Sequence, residues 1–531
     1  MSENARWQSY RKGLKNSVFR RLCDAASKDG AQDQLGQLAG ELSLNPSFTT
    51  GTASFYDYLQ PENRKHSQWV CKGTACLASG TCAHAENRYA NAGEAMCLGY
   101  CYAGGGLLKH GDDGHFSTWS VNDGDIGQPA MPVYDLSSAG ILSSDADSPQ
   151  DLYSIAMTHP DAIISELEAS SLRGRGGAGF AFAFKLAACA GEEARKKFIV
   201  CNADEGDPGA FSDRYLLEQH PHKVMAGMFA TAVAAGATDC VLYIRFEYPE
   251  AIGAVESAIN EYEQWPDDLS GGIRFHVVEG AGSYVCGEET ALLNSIEGLR
   301  PEVRVRPPYP AQYGLWGKPT VVSNVETFAN IPWVLRHGGD AFAAIGTQTS
   351  TGGKLISMDS QFVRPGLYEV DFGMGFEELV YEHAGGFRVP VKALQVGGPL
   401  GSVIPVDRLD ELAVDFDTTR EAGYSLGHAG IIAIPENFPI IDLLRHLFSY
   451  MAHESCGKCT PCRVGTAKGA VMLQQSDQQP VELGLMGGLL ETLETGSLCA
   501  LGGGLPLPVR NCLAHFREEL EPFFKGWEQT A

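Results

Sequence analysis

Three cysteines stand at two-residue intervals near the C-terminal end of the chain: Cys456, Cys459 and Cys462, in the stretch ESCGKCTPC. Three thiolates so close together are too many for one disulfide and too few for a closed metal site. The pattern can wrap three corners of a 4Fe-4S cube, whose fourth iron takes a remote cysteine. Structural zinc is the alternative, but its sites usually use two close cysteine pairs. The spacing therefore favours an iron-sulfur cluster over zinc.

Two later cysteines could supply the remote ligand. Cys499, in GSLCALGGG, is followed by glycines that permit close approach of the backbone to a cluster. Cys512 instead lies in NCLAHFREELEPFF, whose pattern is typical of an amphipathic helix. We predict that Cys499 is the fourth ligand.

A second group of cysteines lies in the first fifth of the chain. Two separated pairs, Cys71-x4-Cys76 and Cys97-x3-Cys101, supply the four thiolates that a 2Fe-2S cluster needs. A zinc site or partly unused thiols are the alternative, although these spacings are looser than those of usual zinc knuckles. Cys82 is interpreted as a spare thiol near this group. The other cysteines sit alone and are expected to be small buried side chains.

Between the two cysteine groups, the stretch LRGRGGAGF is rich in glycine. Gly174, Gly176 and Gly179 match the dinucleotide fingerprint formally. The preceding stretch DAIISELEASSL has helical spacing, so the strand that a Rossmann unit requires is missing. The loop can still bring backbone N–H groups to a phosphate before a helix that begins near Phe182. A plain flexible loop is the alternative.

Acidic and amide side chains follow two predicted strands. The strand at 197–201 ends in NADEGDPG, and the strand at 273–280 runs into a glycine-rich turn and a helix that starts with Glu288 and Glu289. Sheets of α/β proteins usually place ligand-binding groups at such strand ends. These acceptors could bind flavin or ribose hydroxyls. Alternatively, each acidic group is only a solvated helix start that the helix dipole favours.

Composition limits the possible architecture and partners. A chain of 531 residues is long enough for about three domains. Its formal charge of −25 argues against nucleic acid or an anionic membrane as a partner. No run of 18 apolar residues and no apolar N-terminal segment is present, so we expect neither membrane insertion nor a signal peptide, and a soluble cytoplasmic protein. In that compartment cysteines are metal ligands or reactive thiols more often than disulfides.

Several long motifs stand in one order over residues 165–505: GRGGAGF, NADEGDPG, CGEETALLNSIEG, RPPYPAQYGLWGKPTVVSNVET, ESCGKCTPCR and SLCALG. In this the chain resembles the NADH-binding flavoprotein subunit of respiratory complex I and its relatives in soluble NAD-linked hydrogenases and formate dehydrogenases. The first 110 residues, with TASFYDYL, CKGTAC and CLGYC, resemble the small 2Fe-2S subunit that normally accompanies it. The two would be fused here.

The resemblance implies a multidomain fold of α/β and α+β type. Five parts are expected: an N-terminal helical segment (1–65), a thioredoxin-like 2Fe-2S domain (66–134), a Rossmann-like α/β domain for FMN and NAD(H) (135–338), a ubiquitin-like β-grasp module (339–425), and a helical bundle with the 4Fe-4S cluster (426–531).

The resemblance also implies the residues that bind each cofactor. The flavin contacts would be Gly174, Arg175, Gly176, Lys185, Asn202, Asp204, Glu205, Tyr284, Gly287, Glu288 and Asn324, with Ser323 where the family usually has Asn. The nicotinamide cofactor would stack on Phe180 and touch Asp207, Glu289, Arg306 and Tyr309, with Glu289 positioning the nicotinamide. The 4Fe-4S ligands would be Cys456, Cys459, Cys462 and Cys499, and the 2Fe-2S ligands Cys71, Cys76, Cys97 and Cys101.

Some positions depart from the family pattern. Ala181, Phe182 and Ala183 replace the usual Pro-Thr-Gly, and Ala188 replaces an expected aromatic residue, which affects the adenine end of the NAD pocket. Asp207 replaces a usual Glu. An acidic side chain near the ribose 2′-hydroxyl would repel the phosphate of NADP, so we predict a preference for NAD.

The implied activity is that of a diaphorase subunit. Hydride passes between nicotinamide and FMN without a protein acid or base, and FMN exchanges single electrons with the clusters. The chain would need a partner with its own iron-sulfur clusters, most plausibly the catalytic subunit of an NAD-dependent formate dehydrogenase. A hydrogenase and a complex I-type enzyme are alternatives, and so is an electron-transfer scaffold without nicotinamide turnover.

Overall fold

The computed structural model describes residues 2–111, 114–122, 125–144 and 148–527. Its N-terminal segment is helical, as predicted, and Asn45 caps the fourth helix, which has Pro46 in its first turn. Tyr56 is buried, and its hydroxyl lies 2.8 Å from Ser295 Oγ of the central domain. The segment is therefore packed onto that domain. Its helices are α1 Ser2–Lys12, α2 Val18–Ala26, α3 Ala31–Glu41 and α4 Pro46–Ala53.

The next part is a five-stranded sheet with two helices between its parallel strands. Its elements are β1 Gln68–Cys71, α5 Thr74–Ala78, α6 Thr81–Arg88, β2 Gly93–Ala95, β3 Gly105–His110, β4 Phe116–Asn122 and β5 Asp125–Gly127. The strand order is β2-β1-β3-β4-β5, with only β1 and β2 parallel. The cysteine pairs lie at the end of β1, in α5, and between β2 and β3.

The central domain is built on four parallel strands in the order β10-β7-β8-β9. Its strands are β7 Phe198–Ala203, β8 Asp239–Ile244, β9 Arg274–Glu279 and β10 Thr320–Asn324. Both predicted strands are thus confirmed. Its helices are α7 Pro149–Thr158, α8 Ile163–Ser170, α9 Phe182–Ala190, α10 Ser212–Gln219, α11 Pro221–Ala235, α12 Pro249–Tyr262, α13 Asp267–Ser270, α14 Glu289–Ile296, α15 Pro310–Tyr313 and α16 Val325–His337.

A six-stranded sheet follows, in the order β14-β13-β15-β11-β12-β6. Its elements are β6 Val133–Asp135, α17 Gly339–Ala343, β11 Gly353–Met358, β12 Gly366–Asp371, β13 Val391–Val396, β14 Ser402–Pro405, α18 Phe416–Glu421 and β15 Gly430–Pro435. The predicted bounds of 339–425 therefore omit two strands. β6 pairs with β12 from across the central domain, and the buried β15 pairs with β11 and β13. Neither long-range pairing leaves a local signal in the sequence.

The C-terminal part is mostly helical, as predicted. Its elements are α19 Ile440–Glu454, α20 Thr460–Gln474, β16 Val481–Glu482, α21 Leu483–Gly496, α22 Ala500–Gly503, α23 Pro506–His515, α24 Arg517–Leu520 and β17 Phe524–Lys525. The whole is a mixed α/β multidomain fold, and the thioredoxin-like and β-grasp assignments stay predictions. Across the described ranges, no helix has both the length and the apolar character that crossing a membrane requires.

Candidate active site and thiol clusters

A crevice opens where β7 and β10 end side by side. Ser323 pairs with Cys201, and Asn324 pairs with Asn202, so the last residues of the two strands are neighbours. The chain leaves β7 through α10 and α11 toward β8 on one side, whereas β10 lies on the other side. Such a switch point, outside the carboxyl ends of parallel strands, is where α/β sheets bind ligands.

The glycine loop, residues 172–180, lies against this crevice. A Cβ atom on Gly176 would stand 3.0 Å from Cβ of Asn324, so the loop approaches β10 more closely than another residue would allow easily. Gly179 has a φ of +59°, which favours glycine. The loop leads directly into α9, which begins at Phe182 as predicted. Asn324 caps α16, accepting a hydrogen bond from the N–H of Thr327. Helix starts and glycine backbone together suit a phosphate group.

The side chain of Arg175, unlike the neighbouring glycines, contacts the six-stranded sheet. Its guanidinium is buried, lies over the ring of Phe372 and donates to the carbonyl of Thr351 over 2.6 Å. Its backbone N–H donates to Thr327 Oγ1. Burial lowers the pKa of Arg175 to about 10. The structure thus uses this side chain to fix the glycine loop to the six-stranded sheet.

The second glycine turn also reaches the crevice. Asn202 Nδ2 donates to the carbonyl of Gly287 over 2.7 Å, which joins the end of β7 to the start of α14. Glu288 caps α14 with one carboxylate oxygen and keeps the other, Oε1, without a hydrogen bond among the described residues. The Oδ2 atom of Asp204 is also buried and has no hydrogen-bond partner among the residues that the structure describes. Burial raises the pKa of Asp204 well above its ordinary value. These unpaired acceptors fit the hydroxyl groups of a flavin side chain.

The side chain of Glu205 is buried, and both of its carboxylate oxygens accept hydrogen bonds from the protein. Its Oε1 accepts from the N–H of Asp213 and its Oε2 accepts from the N–H of Arg214 and the hydroxyl of Tyr248, at 3.0, 3.2 and 3.1 Å. Burial, reinforced by the Asp213 carboxylate, raises the pKa of Glu205 to about 7. Its side chain fixes the start of α10 below the end of β7.

A chain of charges connects α9, α14 and the segment before α15. Lys185 Nζ lies 3.1 Å from Glu289 Oε2 and donates to the carbonyl of Val322 over 3.0 Å. Arg306 Nη1 lies 2.9 Å from Glu289 Oε1. The predicted nicotinamide contacts Glu289 and Arg306 are therefore brought together with the predicted flavin contact Lys185.

The other predicted nicotinamide contacts are two exposed aromatic rings, Phe180 and Tyr309, and one acidic side chain, Asp207. Phe180 and Tyr309 are 52% and 54% exposed, so both rings are open to stacking. Asp207 Oδ1 accepts from the hydroxyl of Tyr284 over 2.7 Å. Desolvation outweighs that hydrogen bond and raises the pKa of Asp207.

The C-terminal thiol cluster, Cys456, Cys459, Cys462 and Cys499, lines one cavity, together with Val285, Val303 and Leu501. Burial raises the pKa of Cys462 to about 11 and that of Cys499 to about 12. These thiols would be protonated without a cation, and a bound metal cluster supplies the opposing charge. Cys512 lies elsewhere, buried in α23. The geometry therefore brings together the four cysteines predicted to hold a 4Fe-4S cluster.

The N-terminal thiol cluster, Cys71, Cys76, Cys97 and Cys101, is entirely buried. The sulfur atoms of Cys97 and Cys101 lie 3.8 Å apart. A hydrogen bond with Cys76 and the N–H groups of Gly73, Leu98 and Cys97 lower the pKa of Cys71 to about 7. Four thiols that converge in this way, one of them prepared as a thiolate, fit a metal centre.

Known proteins match this architecture. Residues 167–333 match the Nuo51 FMN-binding domain, and residues 442–522 match the iron-sulfur binding region of NADH-ubiquinone oxidoreductase-F. An NADH-quinone oxidoreductase subunit of Rhizobium meliloti (strain 1021), designated F 2, is 41% identical over 372 residues, which cover 68% of this chain and 88% of that one. The chain belongs to the F-type subunit family of NADH-quinone oxidoreductases. It is an NADH-oxidising flavin and iron-sulfur oxidoreductase subunit, with an FMN-binding and a 4Fe-4S-binding domain.

Two further members of this wider family are hydrogenase subunits. The NADP-reducing hydrogenase subunit HndC of Solidesulfovibrio fructosivorans is 38% identical over 373 residues, which cover 68% of this chain and 76% of that one. A crystal structure of an NAD+-reducing NiFe hydrogenase superimposes with a TM-score of 0.85 at 28% identity, covering 96% of this chain and 93% of that one. The structural match therefore extends over nearly the whole chain, whereas the alignment with the Rhizobium protein covers 68% of it.

Sequence reasoning missed several residues that shape the site of this oxidoreductase subunit. Arg214 and Arg245 bind the loop of the N-terminal thiol cluster, Glu454 accepts from the N–H of Tyr284, and His428 faces Glu205. Arg245 directly follows β8, so its place at a strand end was the available signal. The others act across domains, where the sequence alone gives no indication of a contact.

Proposed function

We propose that this chain is a diaphorase subunit that moves electrons between NAD(H), FMN, a 4Fe-4S cluster and a 2Fe-2S cluster. The observation that carries the proposal is the crevice between β7 and β10, in a domain that contacts both thiol clusters. Arg245 binds the carbonyl of Cys97, and Val285 and Val303 line the cavity of the C-terminal thiol cluster. Tyr284 makes one of these connections directly. Its N–H donates to Glu454 Oε2 over 2.8 Å, and Glu454 stands two residues before Cys456.

The flavin would be held at the crevice by backbone and by unpaired acceptors. Gly174, Gly176 and the capped start of α16 suit its phosphate, and Asp204 Oδ2 suits a hydroxyl of its side chain. When bound, FMN takes up hydride from nicotinamide and gives single electrons to iron-sulfur clusters. No acid or base in the protein is required for that transfer.

The nicotinamide cofactor would enter from the exposed side. Phe180 and Tyr309 offer open rings for stacking, and Glu289 is fixed between Lys185 and Arg306 so that its carboxylate keeps one orientation. Asp207, held by Tyr284, disfavours a second phosphate on the ribose and gives the preference for NAD.

Substitution of Asp204 tests the flavin site on the full-length protein with its cofactors. Asp204→Asn replaces the unpaired Oδ2 acceptor with an NH2 donor, and we expect the Kd for FMN to rise about tenfold to a hundredfold, which corresponds to about 1.4–2.8 kcal/mol, the cost of leaving a buried polar group without its hydrogen-bond partner. Fluorescence of released FMN and NADH oxidation with an artificial dye measure the effect. Glu279→Gln, at the end of the edge strand β9, is the control and should bind FMN normally.

Two results would contradict the proposal. If the parent protein bound no FMN, the proposed function would be refuted. An FMN-loaded parent without dye reduction by NADH would favour an electron-transfer scaffold that lacks nicotinamide turnover.

The proposed partner is an iron-sulfur-containing catalytic subunit, and our first candidate is that of an NAD-dependent formate dehydrogenase. The fusion of the FMN module with the proposed 2Fe-2S module in one chain favours a formate dehydrogenase or a hydrogenase over a complex I-type enzyme. A hydrogenase is the second candidate, because the superposition on the NAD+-reducing hydrogenase extends over 96% of this chain. Affinity purification from the native host, followed by assays of NAD reduction with formate and with hydrogen, distinguishes them. Activity with neither substrate would exclude both partners.

A further inference from the structure

Two buried arginines of the central domain hold the loop that carries Cys97 and Cys101. Arg245, immediately after β8, donates from Nη2 to the carbonyl of Cys97 over 2.8 Å and to that of Met96 over 3.1 Å. Its Nη1 donates to the carbonyl of Glu205, at the flavin side. One guanidinium therefore binds the backbone at the edge of the flavin crevice and the backbone of the N-terminal thiol cluster.

Arg214, in α10, extends this contact along the same loop. Its Nη1 donates to the carbonyl of Gly99 over 3.2 Å, and its guanidinium lies 4.2 Å from the ring centre of Tyr100. A Cβ atom on Gly99 would stand 3.0 Å from Arg214 and 2.9 Å from Tyr248. The loop is thus pressed against the arginines where only glycine fits.

The loop needs such support because its conformation is unfavourable. Cys97 has a φ of +56°, in the left-handed region that residues other than glycine seldom adopt, at a cost of about 1–3 kcal/mol. Buried carbonyl groups also need donors. The arginines supply those donors from a neighbouring domain.

The same two peptide units face Cys71 on their other side. The carbonyls of Met96 and Cys97, which accept from Arg245, share their peptide units with the N–H groups of Cys97 and Leu98. A Cβ atom on Gly106 would stand 2.9 Å from Cβ of Leu98 and 3.2 Å from Cβ of Cys71, so this part of the loop packs beside Cys71. Hydrogen bonding by the two N–H groups contributes to the lowered pKa of Cys71. Arg245 therefore orients the N–H groups that reach a cluster ligand, and it polarises them as links in a chain of hydrogen bonds.

We propose that Arg245 and Arg214 are positioning residues for the 2Fe-2S cluster, which set its reduction potential by fixing the N–H···S hydrogen bonds at Cys71. The inference rests on the proposed function, since it presumes that the N-terminal thiol cluster holds that 2Fe-2S centre. Hydrogen bonds to the sulfur atoms favour the reduced, more negative state of a cluster. Glu247 and Glu218 pair with the two guanidinium groups, so orientation of the peptide groups outweighs net charge in this effect.

A redox titration of the full-length holoprotein, followed by EPR spectroscopy, tests the inference. The main variant combines Arg245→Met with Glu247→Gln, which also removes the carboxylate that pairs with Arg245. We expect at least a tenfold fall in the ratio of reduced to oxidised 2Fe-2S cluster at a fixed potential, which is a shift of 59 mV for a one-electron couple. The 4Fe-4S potential should stay unchanged.

Arg445→Lys is the matched control. Arg445 also donates to a backbone carbonyl, that of Leu473, and pairs with Asp477, but these contacts lie within the C-terminal helices. It should leave the 2Fe-2S potential unchanged. If the double variant loses all cofactors, the single variants Arg245→Lys and Arg214→Lys test the inference instead. They keep a positive charge but lack the planar guanidinium, and we expect the same shift of the 2Fe-2S potential in them.

The outcomes separate the inference from the function on which it rests. A parent protein without any 2Fe-2S signal would refute the cluster assignment in the proposed function. A parent with that signal, and variants whose 2Fe-2S potential equals that of the parent, would refute the role of the arginines alone.

Discussion

The two thiol clusters are surrounded by the protein to different degrees and by different parts of it. In the N-terminal thiol cluster every cysteine is at most 3% exposed. In the C-terminal thiol cluster, Cys459 and Cys499 are half-buried, and their cavity also meets Lys458 and Leu498, both partly or largely at the surface.

The contacts that fix the two clusters differ in the same way. The C-terminal loop is held largely by local contacts: Ser455 Oγ lies 3.3 Å from the sulfur of Cys462, and Arg463 donates to the carbonyl of Gly457. Two contacts join it to the central domain, from Glu454 to the N–H of Tyr284 and from Lys458 to Glu302. The N-terminal loop is held by Arg214 and Arg245 from the central domain. A centre built locally can sit near the surface, where a partner subunit can receive electrons, whereas one built across domains is enclosed.

The largest effect is expected from removing a ligand of the more exposed cluster. Cys459→Ser should abolish the 4Fe-4S signal in low-temperature EPR spectra and reduce the iron content to that of a single 2Fe-2S cluster, because the serine hydroxyl is a poor ligand for this iron. The 2Fe-2S signal should persist. Cys512→Ser is the control and should keep both signals. An unchanged spectrum in Cys459→Ser would mean that this cysteine binds no cluster.

The second effect concerns the enclosed cluster. Cys76→Ser should remove the 2Fe-2S signal while NADH oxidation with a dye continues, because the flavin crevice lies in another domain. Cys82→Ser is a close control: Cys82 is also buried and belongs to the same apolar group as Cys71 and Cys76, but lies outside the four predicted ligands. If Cys82→Ser, and not Cys76→Ser, removed the signal, the ligand set would need revision.

The sequence predicted the C-terminal cluster better than its surroundings because that cluster is a local motif. The spacing of Cys456, Cys459 and Cys462 predicts a tight turn, and the glycines after Cys499 predict a close approach of the backbone. A Cβ atom on Gly502 would stand 2.9 Å from Cβ of Cys462, so the backbone after Cys499 does lie close to that cysteine. The strands β7 and β9 were also predictable, since buried runs ending in polar residues are local patterns.

Contacts between domains were not predictable in this way. Neither the two arginines behind Cys97 nor the addition of β6 and β15 to the six-stranded sheet leaves a periodic pattern. The sequence also does not reveal which carboxylates of NADEGDPG face the crevice and which bond within the protein. Asp204 keeps an unpaired oxygen at the crevice, while Glu205, the next residue, is turned inward to the start of α10.

The difference in exposure gives a third prediction. Under a strong iron chelator, the 4Fe-4S signal of the parent protein should decay about tenfold faster than the 2Fe-2S signal, the effect of about 1.4 kcal/mol less free energy of local opening. Parallel EPR samples over time measure both rates, with a sample without chelator as the control. Equal rates would show that the enclosure of the N-terminal thiol cluster does not limit access.

The last prediction concerns a group of buried charges around His428. His428 Nε2 lies 3.6 Å from Glu205 Oε1 and 3.5 Å from Asp213 Oδ2. Asp207 and Lys354 are the other charged groups that act on this region. The nearby carboxylates of Asp213 and Glu205 outweigh burial and raise the pKa of His428 to about 9.

The sign of the pH effect follows from that shift. Because the pKa of His428 is higher in the folded state than its ordinary value of about 6.5, its contribution to the free energy of unfolding is complete below pH 6.5 and is lost as the pH rises through about 9. The raised pKa of Glu205 has the same sign over a lower range, from about 4.5 to about 7. We expect His428→Gln to flatten the decline of the free energy of unfolding between pH 6.5 and 9, by up to about 3 kcal/mol at about 1.4 kcal/mol for each pKa unit. Thermal unfolding of parent and variant across this range, with the exposed His337→Gln as the control, measures it. If the pH profiles of the parent and of His428→Gln are parallel, the charges around His428 do not stabilise this region. Its stability would then rest on the arginine contacts and on apolar packing.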